Sequence, residues 1–326
     1  MQTNMKNILI TGGLGFIGFN AIQLWKKEYP YYNYFIVDIE TYAAKFMLSE
    51  KKKWLEENNV KYFKYDICDE FSIDTLIKQL EIDTIVNFAA ESHVDNSITG
   101  PDIFFKTNVI GTSKLLNIAK KYDLRFHQVG TDEVYGETSN NDWFDYYGDI
   151  IPPEKKPLVP SSPYSSSKAS ADMISLSYYK TFGTKVTVSR CTNNFGPWQH
   201  IEKLIGTVIS KALKDEKIPV YGKGTQKRHW IHVDQHNIAI MNILKKGKIG
   251  KIYNIGPNEN NWITNITLIK FILKNLDKSY SLIEHVKDRL GHDTTYFLYG
   301  TDFCKMSKLW KNDMKNTIIW YRENIN

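Results

Sequence analysis

The sequence predicts an α/β protein with a doubly wound parallel sheet and a second, smaller mixed lobe. In the first 195 residues, short apolar runs rich in Val, Ile and Phe alternate with longer helical patterns. The runs are apolar throughout rather than at every second residue, which is typical of strands buried on both faces of a parallel sheet. After residue 195 this alternation stops, and β-rich and helical stretches mix.

The elements follow in order along the chain. The predicted strands of the first region are NILIT, YFIVD, VKYFKYD, DTIVNFA, RFHQV and TKVTVSR. The predicted helices lie near 16–27, 43–57, 72–80, 101–121 and 163–182, and later near 201–215 and 263–276. PVYG, QKRHWIHV and KIYNIGP are the later β-rich segments. We therefore predict a first domain over 1–195 and a smaller lobe over 196–326, with residues near 229–236 crossing back.

The composition is that of an ordinary globular protein, with 42% hydrophobic and 24% charged residues. The net charge of +6 is spread along the chain, and its densest run is Lys51, Lys52 and Lys53. Because this run lies in a predicted helix beside Glu56 and Glu57, we interpret it as a solvated helix face rather than a nucleic-acid site. No apolar stretch approaches the roughly 18 residues of a membrane span.

The cysteines and histidines predict neither disulfides nor a metal site. The three cysteines, Cys68, Cys191 and Cys304, lie far apart and form no C-x-x-C pair. Since MQTNMKNILITGG enters a strand without a signal-like hydrophobic core, we expect a reducing, intracellular location. The eight histidines do not cluster with cysteines at metal-ligand spacing.

The segment ILITGGLGFIG runs from a strand through glycines into an amphipathic helix. Glycines permit a tight turn and let backbone N–H groups approach a pyrophosphate at a helix N-terminus. Asp38 ends the second strand, twenty residues after Gly18, which is the spacing of an acid that bonds a ribose 2′-hydroxyl. A carboxylate there repels a 2′-phosphate, so this Rossmann-type site favours NAD over NADP. The glycines concerned are Gly12, Gly13, Gly15 and Gly18.

Two further strand ends fit the same cofactor. Asp66 follows the third strand, where it would neighbour the adenine, and Ala89 and Ala90 follow the fourth. Small side chains let a flat cofactor lie close to the backbone, although ordinary helix–sheet packing explains each alanine equally well.

Tyr164 and Lys168 stand four residues apart in SSPYSSSKAS. Ser161 or Ser162 would cap a helix there and Pro163 would begin it, which places the tyrosine and lysine on one face. An ammonium group near a phenol lowers the pKa of the phenol, which then serves as a base for an alcohol proton. Y-x-x-x-K is common on surface helices, so its meaning here depends on the glycine-rich site before it.

Thr131, Asp132 and Glu133 follow the strand RFHQV. Adjacent residues of a regular strand point to opposite faces, so both acids share a pocket only if the chain turns here. Two close acids in different surroundings tend to be driven apart in pKa, which gives one neutral and one ionised carboxyl. The residues alone do not say which acid takes which role.

These motifs resemble the extended short-chain dehydrogenase/reductase family and, within it, the nucleotide-sugar 4,6-dehydratases that act on dTDP-glucose or UDP-glucose. The segments that carry the resemblance are TGGLGFIG, NFAAESHVDNSI, KTNVIGT, GTDEVYGE, SPYSSSKA, RCTNNFGPWQHIEKLI, PVYGKG and YNIG. They extend from residue 6 to about 293. T-D-E-V-Y-G discriminates best, because the related 4-epimerases usually lack the adjacent Asp-Glu.

The resemblance implies a lyase (a hydro-lyase) with tightly bound NAD⁺ that is regenerated in each turnover. Tyr164, helped by Thr131 and Lys168, would take the proton of the sugar 4-hydroxyl as hydride leaves carbon 4. Glu133 would remove the proton on carbon 5, and Asp132 would protonate the departing 6-hydroxyl. The product would be a 4-keto-6-deoxy sugar, which suggests deoxysugar supply of the rhamnose type.

The resemblance also implies binding residues and an assembly. Further cofactor contacts would come from Phe16, Ile17, Thr41, Ile67, Thr107 and Asn194, besides Tyr164 and Lys168. The substrate would meet Ser92, Thr131, Asn193, Lys203, Leu204, Pro219, Tyr221, Arg228, Asn265, Arg289 and His292. The two arginines would clamp the diphosphate, because guanidinium groups form paired hydrogen bonds to phosphate. A cytoplasmic homodimer that packs through the helices near 101–121 and 163–182 is expected.

Several positions depart from the family pattern. Gly130 stands where relatives often have Ser, His229 replaces the Asp of R-D-W, and 294–300 replaces an Arg-containing stretch. These departures leave the preference for thymidine or uridine nucleotides open. Two other functions stay open as well: a nucleotide-sugar 4-epimerase or decarboxylase on the same scaffold, and a catalytically silent NAD-binding regulatory protein.

Overall fold

The computed structural model describes residues 5–139, 141–147, 149–257, 262–288, 293–301, 305–306 and 310–325. The strands, in chain order, are β1 (Asn7–Thr11), β2 (Asn33–Val37), β3 (Lys61–Phe63), β4 (Thr84–Asn87), β5 (Arg125–Thr131), β6 (Lys185–Cys191), β7 (Asn193–Phe195), β8 (Ile218–Tyr221), β9 (Lys227–Arg228), β10 (Trp230–His232), β11 (Ile252–Pro257), β12 (Ile263–Thr264), β13 (Ile283–Val286) and β14 (Lys305–Met306).

The helices are α1 (Phe16–Glu28), α2 (Tyr42–Lys45), α3 (Leu48–Glu57), α4 (Glu70–Gln79), α5 (Val94–Thr99), α6 (Asp102–Phe104), α7 (Thr112–Lys121), α8 (Pro163–Phe182), α9 (Leu204–Leu213), α10 (Val233–Lys246), α11 (Asn265–Asn275) and α12 (Trp310–Asn324). A π-helix (Phe105–Gly111) joins α6 to α7, and short 3₁₀ turns span Asp132–Tyr135, Asn141–Trp143 and Tyr280–Leu282.

The main sheet of the described chain has eight strands in the order β3-β2-β1-β4-β5-β6-β11-β14. Every neighbouring pair is parallel, as the continuously apolar strands predict. The chain runs outward from β1 in one direction and from β4 in the other. This reversal opens a crevice at the carboxyl edge of the sheet, where ligands of such sheets bind.

Helices cover both faces of the sheet. On one face α1 packs against α10, and the indole nitrogen of Trp25 donates to the Asn237 carbonyl at 3.0 Å. On the other face α4 and α7 bury Ile77, Leu115 and Leu116 against the strands. Because each fully buried aliphatic side chain contributes about 1.5–3 kcal/mol, these two layers hold the crevice rigidly.

A second core lies under the later part of the chain. Helices α9, α11 and α12 pack together around residues such as Ile209, Leu268 and Met314. Three small strand pairs border them: β7 with β10 and β8 with β13, both parallel, and β9 with β12, antiparallel. These pairs form one wall of the crevice.

The predicted elements and the observed ones agree for most of the first 195 residues, and α8 has the predicted bounds. The predicted helix near 43–57 is wrong as a single unit, because Met47 adopts a left-handed conformation (φ 53°) between α2 and α3. Helices α5, α10 and α12 were not predicted. The division at residue 195 stays a prediction. Strand β11, from the later part of the chain, belongs to the main sheet, and α10 packs into the core of the first domain.

The interpretation of the lysine run as a solvated face is wrong for Lys51. Its side chain is fully buried, whereas Lys52 pairs with Glu40 at the surface and Lys53 is exposed. The three residues point in different directions because consecutive helical positions differ by about 100°. Among the described residues, no helix is long and apolar enough to cross a membrane.

Candidate active site

The glycine-rich turn after β1 has a shape that other residues would not allow. Gly12 has a φ of +67°, and a Cβ there would lie 2.7 Å from the Ala89 backbone. A Cβ on Gly18 would lie 2.5 Å from the Gly12 carbonyl oxygen, which also accepts the Gly15 N–H at 3.1 Å. The turn therefore brings the N-terminus of α1 close to β4, with backbone N–H groups facing the crevice.

Asp38 lies at the end of β2 beside this turn. Its carboxylate accepts hydrogen bonds from the backbone N–H groups of Leu14 (3.0 Å) and Glu40 (2.8 Å). Burial raises the pKa of Asp38, and the two N–H donors and the charge of Lys51 oppose that rise. The result is an acid fixed at the edge of the crevice.

Two adjoining cavities meet at the turn. One is lined by the predicted cofactor residues Gly12, Gly15, Asp38, Thr41, Asp66, Ile67, Ala89, Ala90 and Thr107. The other is lined by Gly12, Gly15, Phe16, Ile17, Gly18, Ala90, Tyr164 and Lys168, together with Ser92. An acid at one end, helix N–H groups in the middle and the Tyr164 phenol at the other end fit an extended dinucleotide such as NAD.

Two predicted cofactor residues line neither cavity. Gly13 faces the core, where a Cβ would lie 2.5 Å from the Ile36 side chain. The Asn194 amide oxygen lies 3.1 Å from His236 Nδ1, and its nitrogen donates to the Thr192 carbonyl. Both residues therefore have structural contacts that account for them.

Helix α8 presents Tyr164 and Lys168 to the crevice. Ser162 caps the helix in a capping box with Ser165, and Pro163 is the first helical residue, as predicted. Lys168 Nζ donates to the Val129 carbonyl at 2.7 Å, and burial lowers the pKa of Lys168 to about 8.

The prediction that Lys168 lowers the pKa of Tyr164 is wrong for this arrangement. Burial and the charge of Glu133 raise the pKa of Tyr164 well above its ordinary value, and a hydrogen bond from Thr131 opposes them. The phenol is therefore protonated at neutral pH until the surrounding charge changes.

The chain turns where the two acids occur. Strand β5 ends at Thr131, and a 3₁₀ turn (Asp132–Tyr135) follows at once. The Thr131 hydroxyl accepts the Glu133 N–H at 3.4 Å and donates to an Asp132 carboxylate oxygen at 3.3 Å. Because the strand geometry has ended, alternation no longer separates the acids. Glu133 lines the crevice and Asp132 lies buried beside it.

Asp132 has the electrostatics of a proton donor. Its side chain is 4% exposed, and one carboxyl oxygen, Oδ2, has no hydrogen-bond partner among the described residues. Burial, followed by the charge of Glu133, raises the pKa of Asp132 to about 7, although Arg228 opposes the shift. Both protonation states of Asp132 are therefore accessible near neutral pH.

A third cavity, of about 430 Å³, continues from Glu133 toward the second core. It is lined by the predicted substrate residues Ser92, Asn193, Lys203, Leu204, Pro219, Tyr221, Arg228 and Asn265. Lys203 Nζ donates to the Ser92 carbonyl at 2.9 Å and so connects the two sides of the crevice. The predicted residues Arg289 and His292 lie outside the described residues.

Arg228 is held firmly in this cavity. Its guanidinium group stacks over the Tyr296 ring, 4.2 Å from the centroid, and donates to the Asp293 carbonyl at 2.8 Å. The positive charge is thus directed into a site that also contains Asp132 and Glu133. Such a fixed guanidinium group suits a diphosphate.

Several residues of the site escaped prediction. Asn108, in the π-helix, accepts the Glu91 N–H at 2.9 Å and donates to Ser167 of α8 at 2.8 Å, so it supports the helix that carries Tyr164. Its signal was present in KTNVIGT, next to the predicted Thr107. Gln199, His200, Glu202 and Tyr296 also line the cavities.

The departures at 130 and 229 have local explanations. A Cβ on Gly130 would lie 2.5 Å from the Ser189 carbonyl oxygen of β6, so this chain has no room for a side chain there. His229 is fully buried, packs edge-on against Phe297 at 4.8 Å between ring centroids, and burial lowers its pKa to about 4. A neutral ring thus fills this position.

Comparison with known proteins finds relatives along nearly the whole chain. The dTDP-glucose 4,6-dehydratase of Mycobacterium tuberculosis H37Rv is 36% identical over 323 residues, which cover 97% of this chain and 93% of that protein. The dTDP-glucose 4,6-dehydratase of Bacillus anthracis, solved in complex with NAD, is 39% identical with a TM-score of 0.86, over 98% of this chain and 97% of that one.

A second solved structure and a family model extend the comparison. The dTDP-glucose 4,6-dehydratase of Streptomyces venezuelae, solved with NAD bound, is 35% identical with a TM-score of 0.88, over 98% of this chain and 97% of that one. The family model described as GDP-mannose 4,6 dehydratase matches residues 9–299. The chain, with its Rossmann-type sheet and its Tyr164, Asp132 and Glu133 site, belongs to this family of nucleotide-sugar 4,6-dehydratases.

Proposed function

We propose that this protein is a hydro-lyase that converts dTDP-glucose to its 4-keto-6-deoxy derivative with NAD held in the crevice. The observation that carries the proposal is the pairing of Asp132, which has a pKa of about 7, with Glu133 next to Tyr164. A simple dehydrogenase needs the tyrosine, but elimination of water also needs a base and an acid on the sugar.

When bound, NAD would accept a hydride from carbon 4 of the sugar and return it to carbon 6. Tyr164, with Thr131 beside it, would take the proton of the 4-hydroxyl only as the phenolate, and the positive charges of Lys168 and of bound NAD⁺ would favour loss of its own proton. The resulting 4-ketone acidifies the proton on carbon 5, which Glu133 removes. Asp132 protonates the departing 6-hydroxyl, so that one water leaves, and Glu133 would return its proton to carbon 5 when the hydride reaches carbon 6.

The assignment of the acid to Asp132 rests on its surroundings. A buried carboxyl with a raised pKa is neutral often enough to donate, and one of its oxygens has no hydrogen-bond partner among the described residues. Glu133 faces the cavity, so its carboxylate can reach a substrate carbon. The two adjacent acids therefore have opposite roles.

The proposed nucleotide preference rests on the relatives, and the proposed dimer rests on exposed apolar side chains. The relatives named above act on dTDP-glucose, which favours thymidine over uridine nucleotides and leaves UDP-glucose as the alternative. We further propose a cytoplasmic homodimer that supplies a deoxysugar of the rhamnose type. Exposed apolar side chains near the π-helix and on α8 support an interface there; they are Ile103, Phe105, Ile110 and Met173.

A mass-resolved assay with dTDP-glucose and UDP-glucose side by side tests the function. A dehydratase gives a product lighter by one water with a 4-keto group, whereas a 4-epimerase gives a product of unchanged mass and a decarboxylase requires a uronic acid. Loss of water from neither sugar nucleotide by the NAD-loaded protein would refute the proposal. It would then favour the catalytically silent NAD-binding alternative.

A further inference from the structure

A lysine lies buried beneath the glycine-rich turn. The side chain of Lys51, on α3, is 0% exposed. Its Nζ donates a hydrogen bond to the Leu14 carbonyl oxygen at 2.9 Å and lies 5.8 Å from the centroid of the Phe19 ring on α1. A buried ammonium group is costly unless it is paired. The cost of burying Lys51 is therefore offset only in part by this hydrogen bond.

The charge that balances Lys51 is Asp38. Burial lowers the pKa of Lys51 to about 8, and the attraction of Asp38 opposes that shift. Lys51 in turn opposes the rise that burial causes in the pKa of Asp38. Each group thus helps to keep the other ionised inside the protein.

Both groups hold the same residue of the turn. The Leu14 N–H donates to Asp38 at 3.0 Å, and the Leu14 carbonyl accepts from Lys51 at 2.9 Å. Leu14 lies between Gly13 and Gly15, and glycines give this turn unusual conformational freedom. Two charge-assisted hydrogen bonds from opposite sides remove that freedom where the turn meets the crevice.

We propose that Lys51 is a cofactor-positioning residue whose ammonium group, opposite the Asp38 carboxylate, holds the turn through the Leu14 carbonyl, a role that rests on the proposed NAD site. Asp38 accepts two backbone N–H groups, and a carboxylate has about four lone pairs, so two remain for ribose hydroxyls. Without the lysine, binding of NAD has to order the turn and ionise the acid, which weakens affinity.

The test compares Lys51→Met with Lys53→Met, a neighbour on the same helix whose exposed side chain pairs with Glu57. Calorimetric titration with NAD should show the dissociation constant rising roughly 10- to 100-fold for Lys51→Met. For Lys53→Met it should change by less than about threefold. Without added NAD, amide hydrogen exchange over residues 12–18 should be faster in Lys51→Met than in the parent protein.

A purely structural lysine gives a different result. It would lower the melting temperature equally with and without saturating NAD and leave the dissociation constant unchanged, which would overturn the proposal. If Lys51→Met does not fold, the same titration is done with Lys51→Gln, which keeps a hydrogen-bond donor but removes the charge. Unchanged affinity in that variant would refute the role of the charge.

A double-mutant cycle examines the link to Asp38. In an Asp38→Asn background, Lys51→Met should weaken NAD binding by a smaller factor than in the parent protein, and full additivity would contradict the coupling. A parent protein that binds NAD but removes no water from dTDP-glucose would refute the proposed function and leave this inference standing.

Discussion

Two buried aspartates follow two strands of the same sheet, and their surroundings differ. Asp38, after β2, accepts one backbone N–H at each oxygen, and the charge of Lys51 favours its ionised form. Asp132, after β5, accepts the Thr131 hydroxyl, and its other oxygen has no hydrogen-bond partner among the described residues. Burial and a neighbouring acid raise the pKa of both. Two backbone N–H groups and Lys51 oppose the rise at Asp38, whereas Arg228 and side-chain hydroxyls oppose it at Asp132, whose pKa still reaches about 7.

The difference shows how one fold gives the same side chain two functions. Asp38, which would hold a ligand, has a backbone N–H at each oxygen and a cation nearby before the ligand arrives. Asp132, which would give up a proton, keeps one oxygen without a hydrogen-bond partner among the described residues, and both of its protonation states are accessible near neutral pH. Four experiments test this difference.

Glu133→Gln should have the largest effect. It removes the base for carbon 5 and also the charge that helps to keep Asp132 protonated, so turnover should fall by roughly 10²- to 10⁴-fold. Steady-state assays with dTDP-glucose measure the loss, and NAD titration serves as the control because the cofactor site is untouched. Turnover equal to that of the parent protein would remove Glu133 from the chemistry.

Asp132→Asn should slow the loss of water more than the first oxidation, by roughly 10²-fold or more. The amide keeps the shape of the neutral acid but has no acidic proton to donate. Rapid-mixing absorbance should show reduced cofactor accumulating in this variant, because the hydride has already left carbon 4 when the loss of water stalls. The absence of any accumulation would count against the acid role of Asp132.

Asp38→Asn should weaken NAD binding by about tenfold, because an amide accepts fewer hydrogen bonds and leaves Lys51 without its counter-charge. With saturating NAD, water loss per bound cofactor should stay close to that of the parent protein. This separates a binding acid from a reacting one. A variant that binds NAD normally but loses its chemistry would reverse the contrast.

The last prediction concerns how the free energy of unfolding depends on pH. The pKa of Asp132 is raised to about 7 in the fold, so between its unfolded value and pH 7 the folded state holds more protons. Stability then falls as the pH rises through that window, by at most about 1.4 kcal/mol per pH unit. Urea unfolding of the parent protein and Asp132→Asn from pH 4 to pH 8 should show the variant gaining relative stability. Parallel curves would place the pKa of Asp132 near its ordinary value.

Part of this contrast could be read from the sequence. Spacing indicated Asp38, and it indicated Tyr164 with Lys168 once the glycine-rich site was recognised, whereas the roles of Thr131, Asp132 and Glu133 came from the family resemblance. The state of each acid could not be read, because it depends on donors that come from distant parts of the chain. The raised pKa of Tyr164 was missed for the same reason. A sequence shows the lysine four residues away, but not the burial and the Glu133 charge that outweigh it.

Lys51 was missed although its signal was present. It lies three residues after Leu48 and four before Leu55, on the face of α3 that also buries Leu55. The dense run of charge concealed this periodicity, because three adjacent lysines were treated as one surface. Burial of a single charged residue within such a run follows from helical geometry, but its partner, the Leu14 carbonyl, does not follow from spacing.

The π-helix between α6 and α7 has a consequence for how this chain can change. A π-helical segment is in effect an α-helix with one inserted residue. Deleting a single residue before Asn108 would restore regular winding and rotate the asparagine by about 100°, away from both Glu91 and Ser167. A one-residue deletion in this helix would therefore remove the support of α8, which a substitution that keeps Asn108 in place would leave intact.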